Sequence, residues 1–129
     1  MDKGPLSNLS RRERQIMDAI YQLGRASAAE VRAKLPDPPS YSAVRAFLAI
    51  LESKGYLKHA KEGLRYIYLP TQPRKNVGEA ALRRVLHTFY EGSVEKTVAA
   101  LLDTSESNLR PKEIRRIVRL IKQARKEGR

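Results

Sequence analysis

Residues 40–70 read SYSAVRAFLAILESKGYLKHAKEGLRYIYLP, and the period of the hydrophobic pattern changes partway along them. From Ser40 to Lys54, Val44, Phe47, Leu48 and Leu51 follow the i, i+3, i+4, i+7 spacing of a helix with one apolar face, and Gly55 supplies a stop. Beyond it, Tyr56–Ala60 and Arg65–Leu69 are rich in aromatic and branched residues and read as two strands. Lys61-Glu62-Gly63-Leu64 joins them as a hairpin turn, with Gly63 providing a positive φ. A helix followed at once by a hairpin is the end of a recognisable pattern, and its beginning lies upstream.

Two capping boxes stand there. Ser10-Arg11-Arg12-Glu13 opens a helix carrying Ile16, Ile20 and Leu23 on one face and stopping at Gly24. Ser27-Ala28-Ala29-Glu30 opens a shorter helix through Val31 and Leu35. Pro36-Asp37-Pro38-Pro39 ends it, since three prolines fix φ and remove backbone donors. Three short helices and a hairpin describe a winged helix-turn-helix, whose third helix is the one offered to DNA. Pro70 closes that unit, and residues 71–76 read as a linker.

The remainder is helical. Leu82, Val85, Leu86 and Phe89 repeat the apolar spacing in a helix near 77–91, broken by Gly92. Ser93 caps a shorter helix through Val98, Leu101 and Leu102, and Thr104–Leu109 reads as a polar turn. Pro111 suits a first helical position in the last helix, which carries Ile114, Ile117, Val118 and Ile121, although Arg110 is a poor cap residue. Three amphipathic helices bury too little to stand alone, so a self-complementary homodimer is expected to cover these stripes. The fold class is therefore mainly α: a winged helix-turn-helix DNA-binding domain (1–70), a linker (71–76) and a three-helix dimerisation domain (77–129).

Composition narrows the partners. The chain has 129 residues and a net charge of +12, with no Cys. Residues 1–70 hold 12 basic and 7 acidic groups, and residues 71–129 hold 14 and 7, so the excess is spread along the chain. Such a charge points to a polyanion, although a basic surface also serves solubility alone. Disulfides, thiolate nucleophiles and zinc knuckles are excluded. No apolar run reaches the roughly 20 residues of a membrane span, and Met1–Pro5 lacks a signal-peptide core, so a cytoplasmic protein is expected.

On the third helix, Ser42, Ala46, Ala49 and Ser53 lie opposite the apolar stripe, with Arg45 at their flank. Small residues let a helix lie deep in a groove about 12 Å wide, and they equally suit packing against another helix. Arg45 is suited to bidentate pairing with guanine, Ser42 to either base, Ala46 and Ala49 to a thymine methyl, and Tyr41 to a phosphate or base edge. Arg11 and Arg12 on the first helix, with Lys58, Lys61 and Arg65 on the hairpin, are candidate phosphate contacts. Arg115, Arg116, Arg119, Lys122, Arg125 and Lys126 read as a solvated face of the last helix, the alternative being contact with DNA flanks or an acidic partner.

The segments LSRRERQIMDAIYQLGRASAAEVRAKL, SYSAVRAFLAILESKGYL and GLRYIYLP resemble the penicillinase-repressor family of bacterial regulators, the BlaI/MecI/CopY group. The resemblance spans almost the whole chain, and its central pattern is S-x-x-VR-x-x-L-x-x-LE-x-KG-x-L. It implies a homodimeric repressor on an inverted-repeat operator with TACA/TGTA-like half-sites, read by Tyr41, Ser42 and Arg45. Copper-responsive members use a cysteine cluster that this chain lacks. Beta-lactam-responsive members are cut in the dimerisation region after signalling by a membrane sensor protease, and the matching bond here is Ala100–Leu101. The family's Asn-Phe bond is replaced there.

Catalysis finds no support in the sequence, and neither a cofactor, a metal nor a small-molecule substrate is expected. His59 and His87 are isolated, glycines are scattered, and Glu79, Glu91 and Glu95 are spaced as helix-surface charges. The rival readings are a winged-helix module for protein or RNA, and a DNA-binding protein indifferent to sequence.

Overall fold

The computed structural model describes residues 6, 8–105 and 108–128. Met1–Pro5 and two positions of the expected polar turn, Glu106 and Ser107, lie outside the described residues. The chain divides into two compact units between Phe89 and Tyr90.

Both upstream serines cap as their sequence context dictates. Ser10 Oγ accepts the Glu13 N–H at 3.2 Å and Glu13 returns the bond to the Ser10 N–H at 2.8 Å, starting α1 (Arg11–Leu23). Ser27 and Glu30 do the same for α2 (Ala28–Lys34). Ser40 caps α3 (Tyr41–Ser53) by accepting the Ala43 N–H at 3.1 Å. The hairpin is β1 (Leu57–Glu62) against β2 (Arg65–Pro70), antiparallel, with Glu62 opposite Arg65. The first strand therefore runs two residues further than its side-chain pattern indicates, leaving Gly63-Leu64 as the whole turn. Ala26 and Tyr68 exchange backbone hydrogen bonds of 3.0 and 2.7 Å, so the α1–α2 connection also pairs with the hairpin.

The core of this unit follows the apolar stripes, except that Leu23 and Phe47 are only partly buried against it. Ile16, Met17 and Ile20 from α1, Val31 from α2 and Val44, Leu48 and Leu51 from α3 are fully buried, with Leu57 and Tyr68 joining from the hairpin. Two polar residues are buried with them among the described residues, Ser27 and Glu13, the latter a carboxylate only 5% exposed. Its oxygens lie 3.0 and 3.2 Å from Lys54 Nζ at the end of α3. The cap bond from the Ser10 N–H, helped by Lys54, holds its pKa below the ordinary 4.5 against the opposing effect of burial.

The stretch read as a linker is held in place. Thr71 N–H donates to the Tyr56 carbonyl and Thr71 Oγ1 to the Gly55 carbonyl, at 3.0 and 2.7 Å. Tyr21 Oη donates to the Gln72 carbonyl at 2.9 Å, and the Arg74 guanidinium to the Tyr21 carbonyl. Helix α4 (Arg74–Phe89) takes in residues 74–76 of the expected linker. In the second unit, Ser93 caps α5 (Val94–Thr104) by accepting the Lys96 N–H at 3.0 Å. α6 (Pro111–Lys126) starts with the Glu113 carboxylate reaching back to the Arg110 N–H at 3.3 Å, which offsets the poor cap residue. Among the described residues, α4, α5 and α6 contain no buried side chain.

Glu13→Gln keeps an acceptor for the cap and removes the charge facing Lys54. It is expected to cost about 1 kcal/mol at pH 7, Lys54 being partly exposed. Because the folded pKa is depressed, this contribution is complete above pH 4.5 and is lost as pH falls through the folded value. Denaturant unfolding of both proteins at pH 7 and pH 3 checks it: equal stability at pH 7 contradicts the assignment.

Candidate nucleic-acid interface

Burying Val44, Leu48 and Leu51 turns the other side of α3 outward: Tyr41, Ser42, Arg45, Ala46 and Ala49 are all exposed. Ile50 stands among them, 45% exposed and about 40° from Ala46 at 100° per residue. The strip of small residues is thus bordered on one side by Arg45 and on the other by a large exposed apolar side chain, which a helical wheel shows. The Arg45 guanidinium centre lies 6.0 Å from the Tyr41 ring centroid, at the reach of a cation–π contact.

A two-part connection couples the wing to this helix. His59 Nδ1 on β1 lies 2.7 and 2.8 Å from the two carboxylate oxygens of Glu52 on α3. A carboxylate only accepts, so Nδ1 carries the proton. The imidazole also stacks on Tyr66, with centroids 4.1 Å apart and planes 14° from parallel. Tyr66 in turn lies 5.9 Å from Lys61 Nζ.

Between α3 and the hairpin runs a groove. Tyr41 and Arg45 line it from the helix, and Lys61, Leu64, Arg65 and Tyr66 from the wing, with Tyr68 and Ser27–Ala29 completing it. Aromatic rings and cations along a groove next to an exposed helix face suit a sugar–phosphate backbone. The candidate phosphate contacts do not all converge on it. Lys58 does not line it: strand alternation and the pairing with Leu69 place Lys58 on the opposite sheet face from His59 and Lys61, a face shared by Arg65, which reaches the groove at the hairpin tip. Arg12 donates to the carbonyls of Pro36 and Asp37 at 3.0 and 3.1 Å and to Gln15 Oε1 at 3.1 Å. Its guanidinium steadies the proline-rich turn, where Asp37 takes a positive φ of 42°. Arg11 is exposed. Nothing local in the sequence shows that one arginine of this pair is committed and the other is open.

The residues expected to meet a partner copy are uncovered within the chain. Leu82, Val85 and Phe89 of α4, Val98 and Leu101 of α5, and Ile114, Ile117, Val118 and Ile121 of α6 are exposed, Phe89 by 73%. Leu86 is half-buried. Val94, Leu102 and Leu120 are exposed as well and extend these surfaces. The basic residues Arg115, Arg116, Arg119, Lys122, Arg125 and Lys126 are exposed along α6. Ala100 and Leu101 fall inside α5, where Thr104 Oγ1 donates to the Ala100 carbonyl at 2.8 Å. Among the described residues, no group of His, Cys, Asp and Glu could hold a metal, and no helix is long and apolar enough to cross a membrane.

A helix with one face sunk in the core and the other presented beside a two-stranded wing defines a winged-helix DNA-binding protein. The penicillinase repressor family model matches residues 9–123, and the chain belongs to that family of DNA-binding transcriptional repressors, which is not an enzyme family. Among solved structures, the chain is similar to a CopR repressor at 32% identity and a TM-score of 0.44, over 51% of this chain and 99% of that one. It is also similar to BpsR of Bordetella bronchiseptica, whose DNA binding is regulated by 6-hydroxynicotinic acid. That likeness has 18% identity and a TM-score of 0.47, covering 96% of this chain and 80% of BpsR. No curated protein matches the chain.

Because Lys61 lines the groove and Lys58 faces away from it, their removal should differ in effect. Lys61→Ala is expected to lower the slope of log affinity against log salt by about 0.9. Lys58→Ala should change it less. Binding titrations across a salt series decide this, and equal slopes for the two variants would contradict the placement.

Proposed function

We propose that the chain is a homodimeric repressor that reads an inverted-repeat operator with TACA/TGTA-like half-sites. The exposed face of α3, carrying Arg45 beside the wing groove, is the observation that supports this most. On that reading α3 enters the major groove, Arg45 pairs with a guanine, and Ser42, Ala46 and Ala49 contact neighbouring bases. Tyr41, Arg11, Lys61 and Arg65 meet phosphates. Two copies then place their helices about one turn of DNA apart.

The dimer reading draws on the unburied stripes of α4, α5 and α6. Large apolar side chains left in water across three helices favour a second copy that buries them. The first 70 residues then serve DNA and the helices from 77 onward serve the pair, with 71–76 between them. The protein is proposed to work in the cytoplasm, where its DNA is.

Release by proteolysis at Ala100–Leu101 belongs to the same reading, with a membrane sensor protease as partner. That bond is helical, so a protease that needs an extended substrate must first unwind α5 around it. Mass analysis after incubation with induced membranes should then show a cut at this bond, and an intact chain removes this part of the proposal.

Nuclease footprinting of the full-length chain on DNA upstream of its own gene tests the main reading. An inverted repeat protected over two half-sites is expected. Protection that ignores sequence, or none on DNA alongside binding to RNA or protein, would instead support the rival readings.

A further inference from the structure

The tip of the wing carries an apolar side chain with nothing over it. Leu64 is 104% exposed and forms the hairpin turn with Gly63, between the cross-strand partners Glu62 and Arg65. Tight turns ordinarily take glycine and polar residues, which suit water at such a position better than Leu does.

Three features indicate what this side chain meets. Leu64 lines the same groove as Tyr41 and Arg45, so the tip stands on the side of the domain where α3 shows its exposed face. The hairpin beneath it is braced, since Lys61 lies over Tyr66, Tyr66 stacks on His59, and His59 is held by Glu52 of α3. The charge around it is positive: Lys61 and Arg65 flank the turn, and the acid of the tip, Glu62, is paired with Arg25. An apolar point between two cations, on a rigid support beside the reading helix, matches a narrow groove walled by phosphates.

We propose that Leu64 enters the minor groove beside each half-site and wedges against a base step there, so that operator choice extends to base pairs that α3 does not reach. This rests on the reading of the chain as an operator-binding repressor. The minor groove is about 6 Å wide and neighbours the major groove that α3 occupies. Apolar side chains inserted there partly unstack a step, and pyrimidine–purine steps yield most readily. Lys61 and Arg65 then meet phosphates on either side and hold the tip in place. Leu64 thereby contributes specificity by deformability, whereas Arg45 contributes it by hydrogen bonding.

The test is competitive binding of full-length wild type and Leu64→Ser to operators with fixed half-sites and randomised flanks, followed by sequencing of the bound fraction. Being exposed, the position tolerates the change, and thermal unfolding confirms that the variant is folded. Wild type is expected to enrich a pyrimidine–purine step at one flanking position about fivefold or more. Leu64→Ser should reduce that enrichment below about twofold and keep its half-site preference, while Leu64→Met should retain both. Wild type that selects half-sites without any flanking preference overturns the wedge, as does Leu64→Ser with undiminished enrichment. Wild type that ignores the half-sites as well removes the operator reading and this inference with it.

Discussion

The burial of one stripe of α3 sets everything that the first unit can present. Val44, Leu48 and Leu51 have no exposed surface and share one core with Ile16, Met17, Ile20 and Val31. Truncating a residue in such a site costs about 2–5 kcal/mol, a large share of the 5–15 kcal/mol that stabilises a domain. The helix is therefore unable to roll. With its rotation settled, the 100° advance per residue puts Ser42, Arg45, Ala46, Ala49 and Ile50 outward as a geometric necessity. The face offered for recognition is the remainder of the face used for folding.

Around that helix, polar contacts place the other parts. Glu13 joins the start of α1 to the end of α3 through Lys54, and Glu52 joins α3 to the wing through His59. Arg12 supports the proline-rich turn that precedes α3. Each uses a charged group to set direction, where apolar packing sets only distance. The wing owes its orientation to this set together with the Ala26–Tyr68 bridge, and the groove between wing and helix follows from it.

Much of this was legible because its causes are local. Ser10, Ser27 and Ser93 cap helices through bonds that span three residues, and the α3 stripe is a periodicity within thirteen. What escaped depends on partners far along the chain. Lys61 and Glu62 look like turn residues until the register pairs them with Tyr66 and Arg65. Residues 71–74 look like a linker until Gly55, Tyr56 and Tyr21 are found holding them. Arg11 and Arg12 are equivalent in composition and differ only in the carbonyls that the Pro36–Asp37 turn brings within reach. Lys58 and Lys61 differ only by the side of the sheet on which alternation leaves them. The exposed stripes of α4 to α6 were evident as periodicity, and the proposed second copy is what would cover them.

On the proposed reading the +12 charge favours any polyanion, and choice among DNA sequences rests on a few side chains. Dimethyl sulfate interference tests the central one most directly, since methylation at guanine N7 blocks the acceptor that Arg45 is proposed to use. On the operator, methylation of one guanine in each half-site is predicted to prevent binding of the wild-type chain. Arg45→Ala, binding more weakly, should be indifferent to the same methylation. Equal interference for both proteins, or none for the wild type, would contradict the account.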